Sequence, residues 1–231
     1  MLYKKTTYSL LLFFTVLITE INAQQVYLET GVESALFKEY VNNLGENSLD
    51  LNYAKSQSFF IESGLRVDLY NNRLKGEAGL SYNTYKINTG FYSGTVSIPL
   101  TYDLNYASVK AGILFSIINE PRFKLNVHAQ LSHDWLVSGT STYRSVVNDL
   151  YNDNTFDKTL IRLHKGLSAE YNISDTIATY IKYNIADSFR EKNEDSNIEE
   201  SYIYHSDAIS FGLLFNILGS RRRSTKCYGS F

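Results

Sequence analysis

A single cysteine, Cys227, in a chain of 231 residues excludes an internal disulfide framework and any zinc centre built on paired thiolates. Proline is almost as scarce. There are two, Pro99 and Pro121, so little interrupts long hydrogen-bonded strands. There is no surplus of positive charge either: 22 basic residues against 24 acidic ones leave a net charge of −2, which gives no electrostatic case for nucleic acid as a partner. Beyond residue 23 no apolar run approaches the length of about 20 residues that a membrane-crossing helix requires. No stretch keeps a helical period over a useful length. If this chain enters a membrane, it does so with strands.

The first residues form the exception to that polarity. Lys4 and Lys5 are followed by a short apolar run over residues 10–18, and Ala23 ends the segment on a small side chain. This is the three-part layout of a cleaved export leader, with Gln24 as the new N-terminus. The run is too short for a helical anchor. No cysteine lies near the cut to carry a lipid. The leader takes Lys4, Lys5 and Glu20 with it, so the remaining chain holds 20 of the 22 basic and 23 of the 24 acidic residues, a net of −3. About 208 residues remain, enough for one domain. The division expected is a leader over 1–23, one β-domain over 24–218 and a basic tail over 219–231 that contains Arg221, Arg222, Arg223 and Cys227.

What the chain has in quantity is aromatic residues, 19 Tyr and 13 Phe. These favour strands and membrane-interface belts. They sit in segments of period two, the clearest at residues 209–217, where Ile209, Phe211, Leu213, Phe215 and Ile217 alternate with mostly small or polar residues. Seven more segments read the same way: 26–37, 59–70, 73–86, 105–117, 123–137, 160–173 and 177–188. Asn71-Asn72 is expected to form a tight turn, since Asn tolerates positive φ. Residues 119–122 and 174–175 are expected to turn as well. Residues 38–56, 87–103, 138–158 and 189–205 read as long polar loops. The alternation at 95–100 allows a further strand there. However, Pro99 and the even strand count favour a loop. Long and short connections then alternate along the chain.

This arrangement of leader, eight alternating strands, alternating connections and apolar closing strand resembles the small outer-membrane β-barrel proteins of Gram-negative bacteria. The likeness covers nearly all of residues 24–218. One departure is that about a dozen residues follow the closing strand, where such families usually end on an aromatic residue; Phe215 and Phe231 both stand near that place. The resemblance implies an all-β, eight-stranded antiparallel up-and-down transmembrane barrel. It also implies an integral outer-membrane location, contact with outer-membrane lipid and lipopolysaccharide, and recognition by the outer-membrane insertion machinery. A soluble lipocalin-like barrel also has eight alternating strands, but it requires an apolar interior.

The face taken as inward carries Glu29, Glu33, Glu62, Asp68, Glu77, Asp134 and Glu170 against Arg66, Lys75, Lys110, Lys124, Arg162 and Lys182. An eight-stranded barrel is only just wide enough for side chains to fill. A near-balanced set of charges therefore predicts pairing that closes the lumen. A narrow ion path is the alternative. The cluster His128, Ser132, His133 and Asp134 invites comparison with lipid-modifying barrel enzymes. Along one strand, though, Ser132 and His133 point to opposite faces, and His128 lies about 13 Å from Ser132. No catalytic residue is assigned, and no metal or cofactor site is either. Asp149, Asp153, Asn154 and Asp157 lack the spacing of a calcium loop. The acidic run Glu191, Glu194, Asp195, Glu199 and Glu200 reads as a solvated surface able to bridge lipid phosphates through divalent cations.

Overall fold

The computed structural model describes residues 24–41, 56–93, 95–153, 156–189, 191–192 and 201–217. The expected leader, the basic tail with Cys227, residues 42–55 and most of the acidic run lie outside the described residues. The strands are β1 (Gln24–Val41), β2 (Gln57–Tyr70), β3 (Leu74–Ser93), β4 (Val96–Asn119), β5 (Phe123–Tyr143), β6 (Val146–Asp149), β7 (Thr159–Asn172), β8 (Ile177–Ser188), β9 (Glu191–Lys192) and β10 (Ser201–Asn216). Eight of them form the wall, each antiparallel to its neighbours, and the pairing of β1 with β10 closes it. The short β6 and β9 are appended to β5 and β10 outside the ring.

Following paired residues around the wall gives the geometry. The row runs from Asn216 through Gln25, Arg66, Glu77, Gly112, Gln130, His164 and Ala186 to Ser206, so it returns to β10 ten residues from its start. A stagger of ten on eight strands tilts them by about 40° and leaves a bore that side chains fill. The face chemistry is the reverse of a soluble barrel. Leu28, Ile61, Leu80, Ile113, Leu131, Leu167, Ile181 and Phe211 are all exposed on the outside, while charged residues are buried within. That reversal excludes the lipocalin-like alternative.

The turns follow local chemistry. Asn71 and Asn72 adopt φ of 47° and 58°, and Arg73 N–H donates to Tyr70 O at 2.9 Å. Both angles are those of the tight hairpin turn that matches strand twist. At the next turn Glu120 N–H donates to Phe123 O at 3.0 Å; at the third, Ser174 Oγ accepts from Ile177 N–H at 3.1 Å.

The opposite end corrects the expected loops. Residues 87–93 and 96–103 are strand: β3 and β4 stay paired from Leu74–Phe115 up to Ser93–Val96, so the long loop expected there is absent. The strand count stays even because residues 96–104 continue β4. Pro99 is tolerated because β4 pairs with β5 only from Leu100 onward, so its missing N–H falls on an edge. The loop expected over 138–158 begins as a second hairpin, in which Arg144 and Ser145 at φ 46° and 69° turn β5 into β6. The loop expected over 189–205 is shortened at both ends by β9 and β10. The wall therefore rises past the apolar belt as protruding hairpins at one end and stops at tight turns at the other.

Gly64 and Gly79 face each other across β2 and β3, and the ring of Tyr27 lies on them. A Cβ on Gly79 would stand 2.3 Å from the Tyr27 hydroxyl and 2.9 Å from Ser63 O. Gly79→Val is therefore expected to displace Tyr27 and to lower stability by about 1–3 kcal/mol, read from urea unfolding of the barrel in detergent micelles.

Candidate functional site

The site is the lumen. Inward residues recur at every second position of each strand, so every wall strand except β10 contributes one to three of these charges at heights set by the stagger. Glu29 and Glu62 lie directly opposite on β1 and β2, a like-charge pair that is unfavourable by itself. Each is answered separately. Lys110 Nζ stands 2.6 Å from Glu62, and Tyr27 Oη donates to Glu62 at 2.7 Å. Lys182 Nζ stands 3.3 Å from Glu29, to which Tyr180 Oη and Ser210 Oγ donate, each at 2.7 Å.

Arg66 is the second centre. Its guanidinium holds Glu77 at 2.5 Å and Glu170 at 2.8 Å, from β3 and from β7 across the bore. Gln130 donates to the second oxygen of Glu77 at 2.7 Å, and Lys124 stands 3.4 Å from Glu170. The guanidinium also lies over the Tyr180 ring at 5.5 Å, a stacking that a planar cation makes readily. Toward the short turns, Lys75 reaches Asp68 at 4.0 Å and Gln25 at 3.5 Å.

The third centre is Arg162, bound closely to Asp134 and nearly sealed from solvent. The rings of Tyr85 and Tyr204 flank it at 5.2 and 5.6 Å. Above it, toward the protruding hairpins, the filling turns apolar: Phe37, Ile87, Leu104, Tyr106, Leu136, Leu150, Leu160 and Tyr202 pack as one cluster. Phe37 meets Tyr102, Tyr202 and Tyr204 edge-on at 5.2–5.8 Å. Asp157, in the segment leading into β7, accepts from Tyr202 Oη at 3.0 Å, while burial lifts its carboxyl above the ordinary range.

The thirteen expected lumen residues lie on the side of the wall away from the apolar belt. Eleven are buried, and Asp68 and Lys124, nearest the short turns, are half-buried. Sequence reasoning missed one contact. Ser132 Oγ lies 2.9 Å from His164 Nε2, and His164 Nδ1 lies 2.9 Å from Asn184 Nδ2. His128 Nε2 completes the chain on Asn184 Oδ1 at 3.1 Å. Pairs weighed along one strand could not reveal it, because Ser132 and His164 sit on neighbouring strands two positions off register. In this arrangement His164 accepts at Nδ1 and so donates from Nε2 to Ser132. That is the wrong tautomer for a base that would activate the hydroxyl. Both residues are at most 3% exposed. Among the described residues no group of three metal-ligating side chains occurs.

Ionic contacts also occur on the outer face, where Lys86 stands 4.0 Å from Asp103. Lys165 reaches Asp187 at 3.4 Å, and His205 Nδ1 reaches the other Asp187 oxygen at 2.6 Å. His133 and Trp135 are also on the outer face, in edge contact at 4.4 Å, the amphipathic pairing suited to an interface.

No protein-family model matches the chain, and no curated protein matches it by sequence. Solved structures do. The outer membrane protease OmpT from Escherichia coli superposes with a TM-score of 0.50 at 11% identity, covering 85% of this chain and 97% of that one. Neisserial surface protein A gives 0.49 at 13% identity, covering 84% and 98%. A major outer membrane protein from Thermus thermophilus gives 0.48 at 10% identity, covering 84% and 100%. At these identities only the fold is shared. The chain has the fold of the small outer-membrane β-barrels. With its apolar exterior and ionic interior it is an integral outer-membrane protein.

Removing Arg66 would leave Glu77 and Glu170 buried without their shared cation. Arg66→Ala is expected to cost about 3–5 kcal/mol in the same unfolding assay. Arg66→Lys should recover only part of this, because an ammonium cannot take the two carboxylates in a fork.

Proposed function

We propose that this chain is a closed outer-membrane barrel with a structural or surface-contact role, and that it is not an enzyme. The observation that supports this is the filling of the bore from end to end. Lys75 and Asp68 lie near the short turns, two ionic centres and the Arg162–Asp134 pair lie in the middle, and a ring of apolar and aromatic side chains lies at the mouth. Each layer is held by groups from several strands, so opening a path requires breaking charge pairs in a medium that does not solvate them. Proteolysis is a property of OmpT named above. The Ser132–His164 pair, sealed and in the donating tautomer, gives this chain no comparable reading.

In this reading residues 1–23 direct export and are removed, and the insertion machinery assembles the barrel. The hairpins β3–β4 and β5–β6 carry the contact surface beyond the membrane. The lipid contacts are those of the apolar belt and of outward groups such as Lys165, Asp187 and Trp135, with lipopolysaccharide as the outer-leaflet partner.

Planar-bilayer recording tests the closed lumen. The wild-type barrel should show no steady single-channel current, whereas Arg162→Ala, if inserted, should show fluctuating openings. Steady ohmic conductance from the wild type would favour the narrow-pore alternative and sink the closed reading.

A further inference from the structure

The filling of the lumen is one positive charge short. Among the inward-facing described residues, seven carboxylates (Glu29, Glu33, Glu62, Asp68, Glu77, Asp134, Glu170) meet six cations (Arg66, Lys75, Lys110, Lys124, Arg162, Lys182). Six of the carboxylates have a cation within 4.0 Å. Glu33 is the odd one, at 6% exposure. Arg162 and Lys110 lie within electrostatic reach of it, but they are committed to Asp134 and Glu62.

The surroundings of Glu33 are equally unsatisfied. Glu33 Oε1, Asp134 Oδ1, Tyr85 Oη and Tyr204 Oη are buried oxygens, and Arg162 Nη2 a buried nitrogen, that make no hydrogen bond of good geometry; Tyr85 stands only within looser hydrogen-bonding reach of Glu33 and of Arg162. They belong to one neighbourhood. The Arg162 guanidinium stands over both tyrosine rings, and those rings lie 5.1 Å apart. Glu33, Asp134, Tyr85 and Tyr204 are all within electrostatic reach of Arg162. The four oxygens come from four strands, β1, β5, β3 and β10. The aromatic cluster at the mouth closes the space above them.

A buried carboxylate without a counter-charge is the most costly group a lumen can hold. A proton on Glu33 would neutralise it and let it donate to one neighbouring oxygen, whereas a cation would neutralise it and draw on several oxygens at once. Buried oxygens gathered around one guanidinium and carrying one uncompensated negative charge suit a hard monovalent cation. We propose that Glu33, Asp134, Tyr85 and Tyr204 form an enclosed site for an alkali cation beneath the aromatic mouth. Arg162 holds Asp134 in place and donates from its remaining nitrogen to water on the ion. The proposal rests on the closed-lumen reading, but melting experiments test it independently of conductance.

The test is thermal unfolding of the whole barrel in detergent micelles. It compares sodium, potassium and N-methylglucamine chlorides at one ionic strength, the last cation being too large to enter. A ligand that binds only the folded barrel raises the melting temperature with the logarithm of its concentration. Such a rise is expected for sodium or potassium and none for N-methylglucamine. Glu33→Gln should abolish the rise while keeping or improving stability in N-methylglucamine, because the unbalanced charge is gone. Tyr204→Phe, a milder change, should shift the cation response to higher concentration. Equal melting in all three salts would overturn the site, and so would an undiminished cation response in Glu33→Gln. Stability that depends on pH alone, lost as pH rises and indifferent to the cation, would show that Glu33 carries a proton instead and would also overturn it.

Discussion

A bore lined by charges that must neutralise one another is the constraint on which this structure depends. In a soluble protein the apolar residues leave water for the interior, and that transfer holds the core together. Here the apolar residues face lipid, and their burial says little about how the lumen is filled. Cohesion across the bore comes from groups that are worth much when paired and costly when not. The wall is covalently ordinary, a ring of hydrogen-bonded strands with no free edge. Its specificity comes from which inward charge meets which, and the stagger of ten residues decides that.

The stagger explains why the partners are distant in sequence. Arg66 meets Glu77 because β2 and β3 are joined by a tight Asn-Asn turn. It meets Glu170 because the row that leaves β2 climbs to the opposite wall. Tyrosines complete the sets where cations alone do not suffice. Tyr27 and Tyr180 each donate to a glutamate, and Tyr85 and Tyr204 sandwich a guanidinium. Each ring also fills volume that a lysine or glutamate would leave to water. The glycines opposite Tyr27 belong to the same economy of space, since a side chain there would stand where the ring lies.

Much of this was legible in the sequence, and what was not has physical causes. Period-two alternation puts Glu62, Arg66, Lys110 and Arg162 on the face opposite the apolar one, and all four are buried, because register within a strand admits only two faces. The alternation of 95–100 was equally visible. Pro99 there reads as a ladder break, whereas its edge position is a tertiary fact. The Ser132–His164 contact was hidden for a similar reason: sequence spacing measures distance along a strand, whereas this pair forms across two. Tyr27 shares the parity of Glu29, so its inward place was readable. Its role as donor to Glu62 required the partner strand.

Ionic centres occupy the part of the bore that the membrane surrounds, and the aromatic cluster sits at the mouth, where the strands rise past the belt. The reverse order would expose the charges to water and leave them screened, with each pair worth little. With the aromatic side chains above them, Arg162, Asp134 and Glu33 are held away from bulk water, so their interactions are strong and any imbalance among them is costly. The mouth therefore does more than block a path. It sets the dielectric in which the charges beneath it act, and it makes the single unmatched carboxylate at Glu33 the point where the barrel is most sensitive to what enters.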